Sequence, residues 1–102
     1  MAKRREYSRE LIGSLRESGE AAAYLNAAIG EGDRELFLLA LRNVAEAQGG
    51  VAAVAAKASM SRESVYRMLS VRGNPEMKSL CTLLQSMGLR LAVESAEGSA
   101  EG

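Results

Sequence analysis

The chain has 102 residues, thirteen basic and thirteen acidic side chains, one cysteine and no histidine. That length suits one domain with a modest core, and zero net charge excludes a protein that coats nucleic acid indiscriminately. A lone cysteine excludes an internal disulfide, and the lack of histidine removes both a zinc set and the commonest general base. No apolar run approaches the roughly 18–20 residues of a membrane span, and no signal-type hydrophobic stretch follows Lys3-Arg4-Arg5. A soluble cytoplasmic protein that is not an enzyme and carries no metal or cofactor is expected.

Apolar spacing is helical nearly throughout, which predicts an all-α, compact helical bundle. Leu11, Ile12 and Leu15 form a short stripe in a helix starting near Ser8, and Gly19 is read as the break before the next helix. There Ala21, Tyr24, Leu25 and Ala28 share a face, and Gly30-Glu31-Gly32 ends it. Asp33 is placed to cap the following helix, whose apolar face is Leu36, Phe37, Ala40, Leu41 and Val44, with Arg34, Arg42 and Glu46 outside it. Gly49-Gly50 stops that helix.

Two short helices follow, over about 51–58 and 61–70, joined by a tight turn at Ser59. Small Ala55 precedes the turn and apolar Val65 follows it, which is the steric pattern of a helix-turn-helix of the lambda-repressor type. Ser61 is a natural N-cap, and Val65, Met68 and Leu69 point inward at helical spacing. At about 100° per residue, Arg62, Glu63, Tyr66, Arg67 and Ser70 span an outward arc of about 140°. Between Lys57 and Lys78 five cations stand against two carboxylates, a local net charge of +3.

These features point to double-stranded DNA. Ser61, Arg62, Glu63, Tyr66 and Arg67 are the candidate base-contacting residues, because recognition helices enter the major groove N-terminus first. Arg62 has the geometry for guanine O6/N7, and Glu63 can accept from cytosine N4. Lys57, Ser70, Arg72 and Lys78 are the candidate phosphate contacts, which fix register but not sequence. A single recognition helix reads few base pairs, so a homodimer is expected.

Gly73-Asn74-Pro75 breaks the chain, with Asn74 as cap and a helix from Pro75 to Met87 that ends at Gly88. Met77, Leu80, Cys81, Leu84 and Met87 share its inward face, so Cys81 is read as core. The alternation in 89–94 predicts a short C-terminal strand, pairing across a dimer, and 95–102 is read as a frayed tail. The domain organisation is a helical extension over 1–32, the DNA-binding unit over 33–94, and the tail. Paired acids such as Glu17/Glu20 and Glu31/Asp33 lie in polar stretches and read as surface.

The runs LFLLALRNVAEAQGG and SRESVYRMLSVRGNPEMKSLCTLLQSMGLRL, with EAAAYLNAAIGEGD upstream, resemble the addiction-module antidote family. These are small Cro/repressor-type helix-turn-helix proteins, and the resemblance covers roughly residues 7–93. It implies an antitoxin that neutralises a RelE/HigB-like toxin encoded beside it and represses their shared operon. Carried over, Ser61, Arg62, Glu63, Tyr66 and Arg67 are the recognition face. The chain departs from the family in two respects: Ser59 replaces a frequent glycine at the turn, and Ala52 and Ala53 stand where a polar residue is frequent. The residues Tyr7, Leu11, Ile12, Leu15 and Tyr24, or the 89–94 segment, are candidate toxin-docking surfaces, set against ordinary core or dimer packing. Two alternatives stand beside this reading: a stand-alone prophage or host repressor, and a protein-interaction module that has lost DNA binding.

Overall fold

The computed structural model describes residues 9–97. Lys3, Arg4, Arg5, Tyr7 and the expected helix start at Ser8 lie outside the described residues, as do positions 98–102 of the expected tail. The architecture is all-α: α1 (helical over 9–14), α2 (Ser18–Gly30), α3 (Arg34–Ala47), α4 (Val51–Lys57), α5 (Arg62–Met68) and α6 (Met77–Ser86). Helix α3 is the spine; α2 lies along it, α4 packs on its C-terminal half, and α5 and α6 pack on α4.

One apolar cluster joins residues from every layer: Leu15, Leu25, Leu41, Val54, Val65 and Leu83 are all buried in it. Among the described residues every buried side chain is apolar, so their burial carries no polar side-chain desolvation cost and the helices are held chiefly by area removed from water. The few polar ties run along the rim. Asn43 donates from Nδ2 to the Tyr24 hydroxyl at 2.8 Å, joining α2 to α3.

Helix ends follow local chemistry. Asp33 Oδ1 accepts from the N–H groups of Glu35 and Leu36, as a side-chain N-cap should. The ends of α3, α4 and α6 share one closure, the Schellman motif. In each, one N–H reaches back to the helix's third-last carbonyl: Gly50 to Ala45 at 3.0 Å, Met60 to Ala55 at 2.9 Å and Leu89 to Leu84 at 2.9 Å. The residue before that N–H is left-handed in all three, with φ of 106° at Gly49, 56° at Ser59 and 76° at Gly88.

Several expectations are corrected. Gly19 is not a break but lies in the first turn of α2; the interruption falls at 15–17. Leu15 must turn into the core there, and the Gln48 side-chain amide donates to the Arg16 carbonyl at 3.4 Å. The motif helices are shorter than read, and α6 begins at Met77 with Glu76 at its N-cap, not at Pro75. Asn74 therefore caps nothing, and Met77, 66% exposed, is not core. No strand forms among the described residues: 89–94 makes no ladder, because an extended segment needs a neighbour's backbone and none lies alongside it here.

Candidate nucleic-acid interface

Helices α4 and α5 meet across the turn 58–61, and each side of the turn is fixed by its own residues. On the α4 side the Schellman closure requires a left-handed residue, and Ser59 supplies it, the one non-glycine with positive φ among the described residues. On the α5 side Ser61 is extended, and its Oγ accepts from the Ser64 N–H at 3.1 Å, satisfying one of the helix's open donors. Ala55, Val65 and Leu69 are buried where the helices cross, so the inward face of α5 is committed to packing.

What remains outward is the predicted arc. Ser61, Arg62, Glu63, Tyr66 and Arg67 are all exposed, and Tyr66 leaves 53% of its surface open despite its apolar ring. Lys57 is exposed in the last turn of α4, Lys78 in the first turn of α6, and Arg72 in the loop between α5 and α6. Arg67, Ser70 and Arg72 line one open groove of about 500 Å³ beside the start of α6, together with Ser64 and Asn74. The other six candidates do not line it. Ser70 is half-buried, and its hydroxyl donates to the Arg67 carbonyl at 2.8 Å.

Two features had no signal in the sequence: what Arg42 bonds to, and why the break at 73–75 must open on a glycine. Arg42 of α3, expected outside, is half-buried, and its Nη2 donates to the Leu69 carbonyl at the end of α5 at 2.6 Å. Gly73 is buried where the chain leaves α5; a Cβ there would overlap the Met68 carbonyl oxygen and lie 2.9 Å from the Ser70 oxygen. Only a residue without a side chain lets the loop turn this tightly, and the Gly73 N–H donates to the Ser70 carbonyl at 2.8 Å.

Among the described residues no helix is long and apolar enough to cross a membrane, and no group of three or more His, Cys, Asp or Glu residues is arranged to hold a metal ion.

Comparison with known proteins finds a family and a relative. The family described as "Probable addiction module antidote protein" matches residues 8–95. A Haemophilus influenzae protein, described as "Uncharacterized protein", is 32% identical over 82 residues, covering 80% of this chain and 84% of that one. No solved structure matches.

Proposed function

The chain belongs to the family of probable addiction module antidote proteins, and from that premise we propose that it is the antitoxin of a toxin-antitoxin pair and the repressor of their operon. In this reading α4, the turn at Ser59 and α5 form a DNA-binding helix-turn-helix. The observation that carries it is the division of α5: Val65 and Met68 are buried, while Arg62, Glu63, Tyr66 and Arg67 are exposed on the opposite side. A helix held this way offers cations and hydrogen-bonding groups to a groove without disturbing its own packing.

Roles divide by position. Ser61, Arg62 and Glu63 stand at the N-terminal end of α5 and take the base edges, with Tyr66 and Arg67 one turn behind. Lys57, Ser70, Arg72 and Lys78 take phosphates; the groove shared by Arg67, Ser70 and Arg72 gives two guanidinium groups a common approach to the backbone. Operator binding uses a two-fold dimer, and the partner is a small RelE/HigB-like toxin.

The test is binding to DNA from the chain's own promoter across a salt series. Affinity should fall with a log–log slope of about −0.9 per phosphate contact. Arg62→Ala should cost about 1–3 kcal/mol and relax preference at one base position, whereas Lys78→Ala should weaken all sequences alike. Identical sequence profiles for the two variants would defeat this division of roles. Binding no tighter than the non-specific level of about 10⁻⁴–10⁻⁶ M at physiological salt would defeat the repressor reading itself. The antitoxin half is tested separately, by arrest of growth on expressing the adjacent reading frame and rescue by this chain.

A further inference from the structure

The chain leaves α6 as Leu89-Arg90-Leu91-Ala92-Val93-Glu94. The Leu89 N–H closes the end of α6, but from Arg90 to Glu94 no backbone group is hydrogen-bonded among the described residues. No residue of the segment has a positive φ, so a strand conformation is open to each of them. A row of unpaired donors and acceptors is a template for another strand.

Its side chains divide with a period of two. Leu89 packs against the core, and Leu91 lines a hollow of about 60 Å³ with Leu25, Ile29, Phe37 and Leu84. Val93, next on that side, is 99% exposed, and Ile29 of the same hollow is 49% exposed. Arg90, Ala92 and Glu94 fall on the other side, all exposed.

The segment is complementary to itself in one register. Two copies run antiparallel about Ala92 set Arg90 against the second copy's Glu94 and Leu91 against its Val93, with Ala92 facing its own counterpart. Two-fold symmetry makes each match twice. Parallel pairing in register would set arginine on arginine and glutamate on glutamate, and any antiparallel slip parts both ion pairs. A two-stranded ribbon alone is marginal in water. Here its apolar side lies over the hollow, where the second copy's Val93 comes beside Leu91.

We infer that residues 90–94 pair with the same segment of a second copy of this chain, as an antiparallel ribbon centred on Ala92. The inference rests on the repressor reading above only in taking the operator-bound form as a two-fold dimer, and it adds the surface and the register that make it. The strand missing from the single chain is completed by its twin.

Sedimentation of the full chain without DNA tests it. The wild type should dimerise reversibly, and Arg90→Glu and Glu94→Arg should each raise the dissociation constant about tenfold, by setting like charges opposite. The exchanged variant Arg90→Glu/Glu94→Arg should return to near the wild-type value, a rescue that a merely structural role would not give. In a Cys81→Ser background, Ala92→Cys should form an intermolecular disulfide on mild oxidation, because facing residues lie about 4.5–5.5 Å apart between Cα atoms. Arg90→Cys should not, its counterpart being about 13 Å away along the ribbon. Unchanged helical circular dichroism establishes that each variant is folded.

Three results overturn the inference. A wild-type chain that stays monomeric would remove the interface, whatever its affinity for DNA. A dimer indifferent to both charge reversals would lie on another face and leave the two-fold operator reading intact. Weakening by each single reversal without rescue by the exchange, or cross-linking through Arg90→Cys in place of Ala92→Cys, would refute the register. A dimer that behaves as expected yet binds no operator would uphold the ribbon and remove the repressor reading instead.

Discussion

The guanidinium of Arg42 and the main-chain carbonyl of Leu69 are joined at 2.6 Å across 27 positions of sequence. The last carbonyls of a helix have no partner inside it, and a cation at that end also suits the helix dipole. Helix α5 does not close with the left-handed turn that ends α3, α4 and α6; Arg42 reaches over from α3 to its end instead. The bond therefore fixes α5 to the spine of the fold.

Arg42→Met keeps most of the apolar stem and removes the donor. It should lower stability by about 1–3 kcal/mol, since the half-buried carbonyl loses a charge-assisted bond. Urea unfolding checks the magnitude. Hydrogen exchange should show faster exchange at Leu69 and Ser70, and exchange there at the wild-type rate would sink the idea.

Ser59 should be improvable. Gly49 and Gly88 occupy the equivalent position in two other helix ends, and a side chain in that region costs about 1–2 kcal/mol. Ser59→Gly should raise stability by about 1 kcal/mol, after allowing for the greater entropy of the unfolded glycine. Ser59→Val should lower it, because a β-branched side chain is worse placed there. Thermal melting of the two variants gives the order directly, and a glycine variant less stable than the wild type would refute the strain.

Gly73→Ala meets backbone rather than a movable side chain. It should cost about 3 kcal/mol, at the upper end of overpacking. If Arg72 contacts phosphate as proposed, DNA affinity should fall with it, because Arg72 leaves from the same turn. A variant with wild-type unfolding midpoint would show that the loop has room to shift.

The two side-chain caps should act independently. Asp33→Ala and Ser61→Ala should each cost about 0.5–2 kcal/mol, and the double variant should lose their sum, because the caps serve different helices and share no partner. Denaturant unfolding of the three variants tests additivity.

Much of this was legible where the cause is local. Gly30-Glu31-Gly32-Asp33 reads as a stop and a cap because both signals lie within a few residues of the events they cause, and so does Ser61. The inward trio Val65, Met68 and Leu69 follows from period alone, and all three are buried. The outward arc was equally readable from Arg62 to Arg67, since exposure is what the same period leaves over; Ser70, its last member, is half-buried, with its hydroxyl turned back to the Arg67 carbonyl. Gly19 misled because a glycine can sit in a first turn as easily as in a break, and the real interruption is set by where Leu15 must go. Pro75 misled in the same way: it tolerates a helix start but does not impose one. The break at Gly73 was legible, but the bond of Arg42 and the backbone crossing that requires glycine at 73 were not, because their partners are set by the fold, a carbonyl 27 residues away and the backbone of Met68 and Ser70. The strand expected over 89–94 depended on a neighbour that a single sequence does not supply.

Helices α4 and α5 have seven residues each, about half the length at which an isolated helix persists in water. Neither they nor the turn between them can survive as a peptide. Their geometry is lent by Val54, Val65 and Leu69 sinking into a cluster that also contains Leu15, just after α1, and Leu83 of α6. The two helices and the scaffold should therefore melt as one cooperative step. A protease that catches the open chain would remove the exposed arc of α5 and the core it stands on together, leaving no partly folded remnant of either.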